Sequence, residues 1–141
     1  MRILIDTNIV LDILLNRPPF VQDAVDLLKL CGEHVQEYIS ASAITDIYYI
    51  SYKTLRDKQK VKDIIKRLLS VIHIADVSEE TIFAALDSDW NDFEDAVQNA
   101  VAASHNFDAI ITRDPRDFKN SALRIISPKD FLRQTKNYQS L

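Results

Sequence analysis

Short apolar runs and helical-period stretches alternate along this chain, and that alternation restricts its fold more than any other feature. RILID (residues 2–6) reads as a short buried strand, and with no Gly or Pro after it the next segment begins at once as a helix. PPFVQDAVDLLKLCG (18–32) opens on prolines, carries amphipathic spacing and ends at Gly32, the pattern of a helix with a glycine stop. HVQEYISAS (34–42) has strand character, and SAITDIYYISYKTL (42–55) sets Ile44, Ile47, Tyr48 and Ser51 on one face of a helix capped by Ser42. KQKVKDIIKRLL (58–69) spaces Val61, Ile64, Ile65, Leu68 and Leu69 as one helical stripe. VIHIAD (71–76) is a strand, SEETIFAALDS (78–88) a helix capped by Ser78 with acids in its first turn, where the helix dipole favours them. NDFEDAVQNAVAASHN (91–106) is a helix with Phe93, Ala96, Val97, Ala100 and Val101 on its apolar face. DAIIT (108–112) and ALRII (122–126) are strands, and SPKDFLRQ (127–134) opens a last helix with a Ser cap and Pro at the first helical position. Such alternation builds an α/β sandwich around a mostly parallel sheet with right-handed crossovers.

The 141 residues suit one domain, read here as 1–135, with 136–141 as a patternless tail. One Gly leaves no room for a glycine-rich phosphate loop, and no repeat or low-complexity stretch occurs. The N-terminal apolar segment is interrupted by Asp6, Asn8 and Asp12, so it reads neither as a signal peptide nor as a membrane span. Cys31, the sole cysteine, reads as a small buried hydrophobe, and the cytoplasm is the expected location. The net charge of −4 does not advertise nucleic-acid binding, but the charges are unevenly spread. Residues 53–67 hold seven Lys or Arg, including Lys53 and Arg56, whereas 76–95 hold eight Asp or Glu and no Lys or Arg. The basic run is either a solvated helix face or a track for phosphates.

In a parallel sheet, sites gather beyond the carboxyl ends of the strands. Asp6 closes the first strand and Asp114 follows DAIIT by two residues, so both belong at one sheet edge. Asp92 and Asp95 share a helix face, continued by Asn99. Like charges brought together repel, and some of their pKa values rise. A divalent cation relieves that repulsion, and oxygen donors without Cys or His suit Mg²⁺ or Mn²⁺ better than zinc. Each acid also has a plainer role open to it: Asp92 and Asp95 as first-turn helix acids, Asp114 as a turn residue before Pro115.

LIDTN (4–8), DFEDAVQNAVAA (92–103) and IITRDPRDF (110–118) resemble, in order and spacing, the signature blocks of PIN-domain ribonucleases, including the VapC-type toxins. The resemblance runs from Met1 to about Leu132. It implies a five-stranded sheet flanked by helices, Mg²⁺ or Mn²⁺, hydrolysis of single-stranded or looped RNA, a homodimer and, in the toxin branch, a small antitoxin partner. It implies Asp6, Asp95 and Asp114 as the principal metal-binding acids, with Asp92 and Asp117 as helpers. Thr7 and Asn8 match the polar residues after the first acid, and Thr112 the hydroxyl that supports the last loop. In many of these nucleases a further acid is a Glu early in the helix after strand two; here it is Asp46, one methylene shorter, with a reach to metal through water.

Arg113, Arg116 and Lys119 flank the expected site, either as contacts to RNA phosphates or as charge balance for Asp114 and Asp117. Tyr48, Tyr49 and Tyr52 read as core or interface, Trp90 as packing, and His73 as structural. Three functions compete. The first is a metal-dependent endoribonuclease with Asp6, Asp46, Asp95 and Asp114 as catalytic acids. The second is a non-catalytic RNA- or protein-binding module, favoured only by the departure at Asp46. The third is an aspartate-nucleophile phosphatase of the haloacid dehalogenase type, which expects a second Asp where this chain has Asn8.

Overall fold

Five strands, β1 (Arg2–Ile5), β2 (Gln36–Ser40), β3 (His73–Ala75), β4 (Ala109–Ile111) and β5 (Arg124–Ile126), form one sheet in the order β3-β2-β1-β4-β5. Every pairing is parallel. The computed structural model describes residues 1–139. Helices α1 (Thr7–Leu14), α2 (Val21–Lys29), α3 (Ala41–Leu55), α4 (Lys58–Leu69), α5 (Glu79–Asp87), α6 (Phe93–Ser104) and α7 (Pro128–Gln139) fill the crossovers and the C-terminus. The expected single α/β domain with a parallel sheet flanked by helices is what the chain forms.

Strand alternation sorts the side chains into two cores. Ile3, Ile5, Ile39, Ala109, Ile111 and Ile126 face one core, closed by α1, α2, α3, α4 and Phe131 of α7. Leu4, Ala75 and Ile110 face the other, closed by α5, α6, Phe107 and Phe118. Each large aliphatic side chain so buried contributes roughly 1.5–3 kcal/mol. The stripe expected on α4 is the one it buries, with Val61, Ile65 and Leu68 innermost.

Several local expectations are corrected. Helix α2 ends at Lys29, three residues short of Gly32, whose neighbourhood is open and whose φ is not left-handed. Pro18 and Pro19 precede α2 instead of opening it. Ser40, not Ser42, occupies the N-cap of α3, and the two hydroxyls lie 2.7 Å apart. Phe93 is half-exposed, because it sits on the first turn of α6 outside the second core. His73 is exposed and packs on the Tyr38 ring at 5.2 Å. Helix α7 runs to Gln139, so 136–139 of the expected tail continue its backbone; 140 and 141 lie outside the described residues. Ser78 caps α5 as expected, through a capping box with Thr81.

One strand residue breaks the alternation of apolar and polar. Glu37, in the middle of β2, points into the first core beside Ile39 and is 1% exposed. Its Oε2 meets no hydrogen-bond donor among the described residues. The Cys31 thiol lies beside it and donates to the Val71 carbonyl at 3.0 Å, so Cys31 is half-buried against a carboxyl and not simply a core hydrophobe. Burial pushes the Glu37 carboxyl up to about 7, and the neighbouring thiol offsets this only in part. A carboxyl raised on folding binds its proton more tightly in the native state. Its stabilising effect is therefore complete below the ordinary Glu range and fades as pH rises through about 7. Glu37→Met should raise stability at pH 8 by roughly 2–3 kcal/mol and flatten the fall in stability between pH 5 and 8. Urea unfolding of both proteins across that range measures it.

Candidate active site

The chain steps from β1 to β2 to β3 on one side of β1, then returns to place β4 and β5 on the other. The carboxyl ends of β1 and β4 thus flank the point where strand order reverses, the crevice in which parallel α/β sheets bind ligands. Asp6 sits there, between the end of β1 and the start of α1. Its backbone N–H donates to the Ile111 carbonyl at 2.9 Å, which fixes it against β4. Its carboxylate is buried and held from two sides. Thr112 Oγ1 donates to Oδ2 at 2.8 Å, and Gln98 Nε2 of α6 donates to Oδ1 at 3.1 Å. The Asp114 N–H in turn donates to Thr112 Oγ1 at 3.1 Å, so one hydroxyl ties the Asp114 loop to Asp6. Burial raises the Asp6 pKa; the bonds from Thr112 and Gln98 oppose the rise, and the charge of Asp114 adds to it.

Helix α6 delivers the next acids. Asp92 is its N-cap, accepting from the Asp95 N–H at 3.0 Å, so the capping role and the charge reside in one residue. Asp95, one turn on, is half-buried. Desolvation first, then the charges of Asp92, Asp6, Asp117 and Glu94, push its carboxyl up to about 7. Glu94 is a site residue that the sequence reading passed over. Thr7 Oγ1 donates to Glu94 Oε1 at 2.8 Å, and burial together with the charges of Asp46, Asp6 and Asp92 raises its pKa. Its signal was its place inside the DFEDAVQ block, where it looked like one more first-turn helix acid. Asp46, exposed on α3, comes within electrostatic reach of Glu94. Asp114 and Asp117, both exposed, flank Pro115 and Arg116 in the turn after β4, where Pro115–Phe118 form a single 3₁₀ turn. All six expected aspartates therefore act on one another or on Glu94.

Other residues go elsewhere. Asn99 accepts from Ser121 Oγ at 2.5 Å and lines a cavity against α5 with Trp90 and Ala103, so it leaves the carboxylate face that Asp92 and Asp95 share. Asn8 is exposed on the first turn of α1. Lys53 and Arg56 are exposed at the end of α3, with Arg56 in the left-handed region at φ 55°. Arg113 balances neither Asp114 nor Asp117. Its Nε lies 2.8 Å from Oδ2 of Asp12, close in distance but not aligned as a hydrogen bond, and its guanidinium covers the Phe20 ring at 3.9 Å. Arg116 and Lys119 line a cavity of about 300 Å³ with Asp92, Asp95 and Asp117.

Gln98 and Asp12 were also missed. Both are polar residues inside apolar helix stripes, 1% and 0% exposed. Such residues stay buried only for a partner, and the partner lies on another element: Asp6 for Gln98, Arg113 for Asp12.

The donor set suits a hard cation: all its groups are oxygens, several are carboxylates, and their mutual repulsion is largest where an ion would lower it. Among the described residues no three carboxylate, imidazole or thiolate groups converge closely enough to hold an ion directly. An ion at this spacing would keep water between itself and part of the carboxylates.

Two stability outcomes follow from this geometry. In metal-free protein, Asp95→Asn should raise the melting temperature at pH 8 by about 2–4 °C, the shift that roughly 1 kcal/mol produces in a chain of this size. The direction comes from the sign of the shift: a carboxyl raised to about 7 loses its stabilising effect as pH climbs through that value. Arg113→Ala leaves the buried Asp12 with only the more distant Arg17, at 3.9 Å, and should cost about 2–3 kcal/mol in urea unfolding, with Asp12→Asn added to it recovering part of the loss.

A search of curated protein sequences finds no match. Solved structures do match in fold. A chain of the VapBC2 complex of Rickettsia felis, bound to a promoter DNA fragment, superposes with a TM-score of 0.71 at 18% identity, covering 90% of this chain and 98% of that one. VapBC-1 of nontypeable Haemophilus influenzae gives 0.70 at 14% identity, covering 92% and 99%. VapC20 of Mycobacterium tuberculosis, a toxin that cleaves the sarcin-ricin loop, gives 0.61 at 16% identity, covering 77% and 86%. The family model for the PIN domain matches residues 2–116, from the first strand through the Asp114 turn, and the chain belongs to the PIN domain family.

Proposed function

We propose that this protein is a Mg²⁺- or Mn²⁺-dependent endoribonuclease that hydrolyses phosphodiester bonds in single-stranded or looped RNA. The observation that carries the reading is the meeting of acids from β1, α3, α6 and the β4 turn at the point where strand order reverses. Asp6, Asp95 and Asp114 would hold the cation, at least one of them through water, with Asp92 and Asp117 beside them. A bound divalent ion would stabilise the charge that develops on phosphorus and lower the pKa of water.

The chain's own residues do the rest. Thr112 and Gln98 keep the Asp6 carboxylate in one orientation, so no reorganisation is needed when substrate arrives. Thr7 holds Glu94, and a half-buried carboxyl with a raised pKa is suited to take a proton from the attacking water. Asp46 adds negative charge to that side. Arg116 and Lys119 supply the positive charge that lets an RNA phosphate approach an otherwise acidic edge.

We further infer that it is the toxin of a toxin–antitoxin pair, acting in the cytoplasm as a homodimer that a small antitoxin protein covers. Support comes from the VapBC complexes among its structural neighbours and from exposed apolar side chains on two helices, Tyr49 and Ile50 on α3 and Phe83 and Leu86 on α5, which suit protein contacts. Among the described residues no helix is long and apolar enough to cross a membrane.

Purified protein incubated with labelled single-stranded RNA should cut it in Mn²⁺ and stop in EDTA. Asp6→Asn and Asp95→Asn should each lower the rate at least about 100-fold, whereas Asp130→Asn, on the exposed start of α7, should cut like wild type. Cleavage that persists in EDTA, or survives Asp95→Asn, would overturn the proposal.

A further inference from the structure

Beside the carboxylates, and sharing Asp92, Asp95 and Asp117 with them, lies a separate cavity of about 300 Å³. That is the low end for small-molecule pockets, room for one nucleotide unit and not for a folded helix. Its remaining wall is chemically specific. Trp90 presents a half-buried indole, held edge-on by the Phe118 ring at 5.6 Å and 74°. Asn91 and Asn120 contribute side-chain amides from the segments before α6 and after the 3₁₀ turn. Arg116 and Lys119 set two cations against the three carboxylates.

We propose that this cavity is a base-reading subsite, which takes the unstacked base of the nucleotide next to the bond that is cut. The inference rests on the nuclease reading for the bond but not for the base. Each amide offers donors and an acceptor, the pairing that base edges require and that phosphates do not. The indole, fixed by Phe118, offers an apolar surface for a base pulled out of its stack, the usual state of RNA read by sequence. The two cations reduce the repulsion that three carboxylates alone would exert on the nucleotide's phosphate. Because Asp95 belongs to both the cavity and the acid cluster, a base seated here puts its phosphate beside those acids. Asn91 and Asn120 therefore set base preference, and neither takes part in the chemistry.

Trp90 is the only tryptophan in the chain, so its fluorescence reports on this cavity and on the cavity against α5 that it also lines, and the asparagine variants, which line only this one, tell the two apart. The four ribonucleosides, which carry the base but no phosphate for the bare carboxylates to repel and no bond for a nuclease to cut, should be titrated into full-length, metal-free protein. Saturable quenching is expected, with affinities that differ between bases by about fivefold or more, and with the preferred base weakened about tenfold in Asn91→Ala and Asn120→Ala. Both asparagines are exposed, so these variants keep the fold. Quenching equal for all four bases, quenching unchanged in both variants, or no quenching would each overturn the subsite. The outcome is independent of catalysis: base-selective quenching by a protein that cuts no RNA would sink the nuclease reading and keep the subsite. RNA cutting without base-selective quenching would do the reverse.

Discussion

The Asp6 carboxylate, buried where β1 and β4 end side by side, is the constraint around which the rest of the site is arranged. A central parallel strand closed on both faces gives its C-terminal residue no water, so an acid there must find donors within the protein. It finds one on each flank: Thr112 from the neighbouring strand end and Gln98 from α6. Those two bonds fix more than a side chain. Through Thr112 the Asp114 turn is tied to Asp6, and through Gln98 the helix that carries Asp92, Glu94 and Asp95 is docked against it. The placement of the acids on α6 and in the β4 turn follows from satisfying one buried carboxylate, while Asp46 is brought in separately by α3.

The same physics explains why the cluster is unfavourable without a counter-charge. Asp6, Glu94 and Asp95 all have pKa values pushed up, first by desolvation and then by one another. Gln98 spends its amide on Asp6 and leaves its own Oε1 without a partner among the described residues. A cluster that lowers the stability of the bare protein in this way would gain from any cation bound to it, and the loss is offset by the two apolar cores behind it.

Buried charge also has a purely structural use in this fold. Asp12 draws Arg113 down onto Phe20, which pins the residue just ahead of Asp114 to α1 and to the chain entering α2. Arg113 looks from its neighbours like a substrate contact, yet the molecule uses it to hold the Asp114 turn in place. Glu37 has no comparable employment. It lies in the first core with an orphaned oxygen, and the packing around it supplies no functional reason for an acid there.

The chain's sequence by itself determined the element order, the parallel sheet and the identity of most acids in the cluster. Alternating apolar periods of two and 3.6 are local properties, and an acid at a strand end or in a helix first turn is visible in a single stretch of chain. Boundaries were less legible: Gly32 and Ser42 looked like end signals, but α2 ends at Lys29 and α3 begins at Ala41 with Ser40 as its N-cap. What only the tertiary structure decided was who pairs with whom. Gln98 and Asp12 read as blemishes in apolar stripes because their partners are 92 and about 100 residues away. Asn99 looked like a continuation of the acidic face until Ser121 took its side chain, and Glu94 looked like a helix-end acid until Thr7 and Asp46 were brought to it. Hydrogen bonds and charge interactions depend on distance in space, and separation along the chain carries almost no record of it.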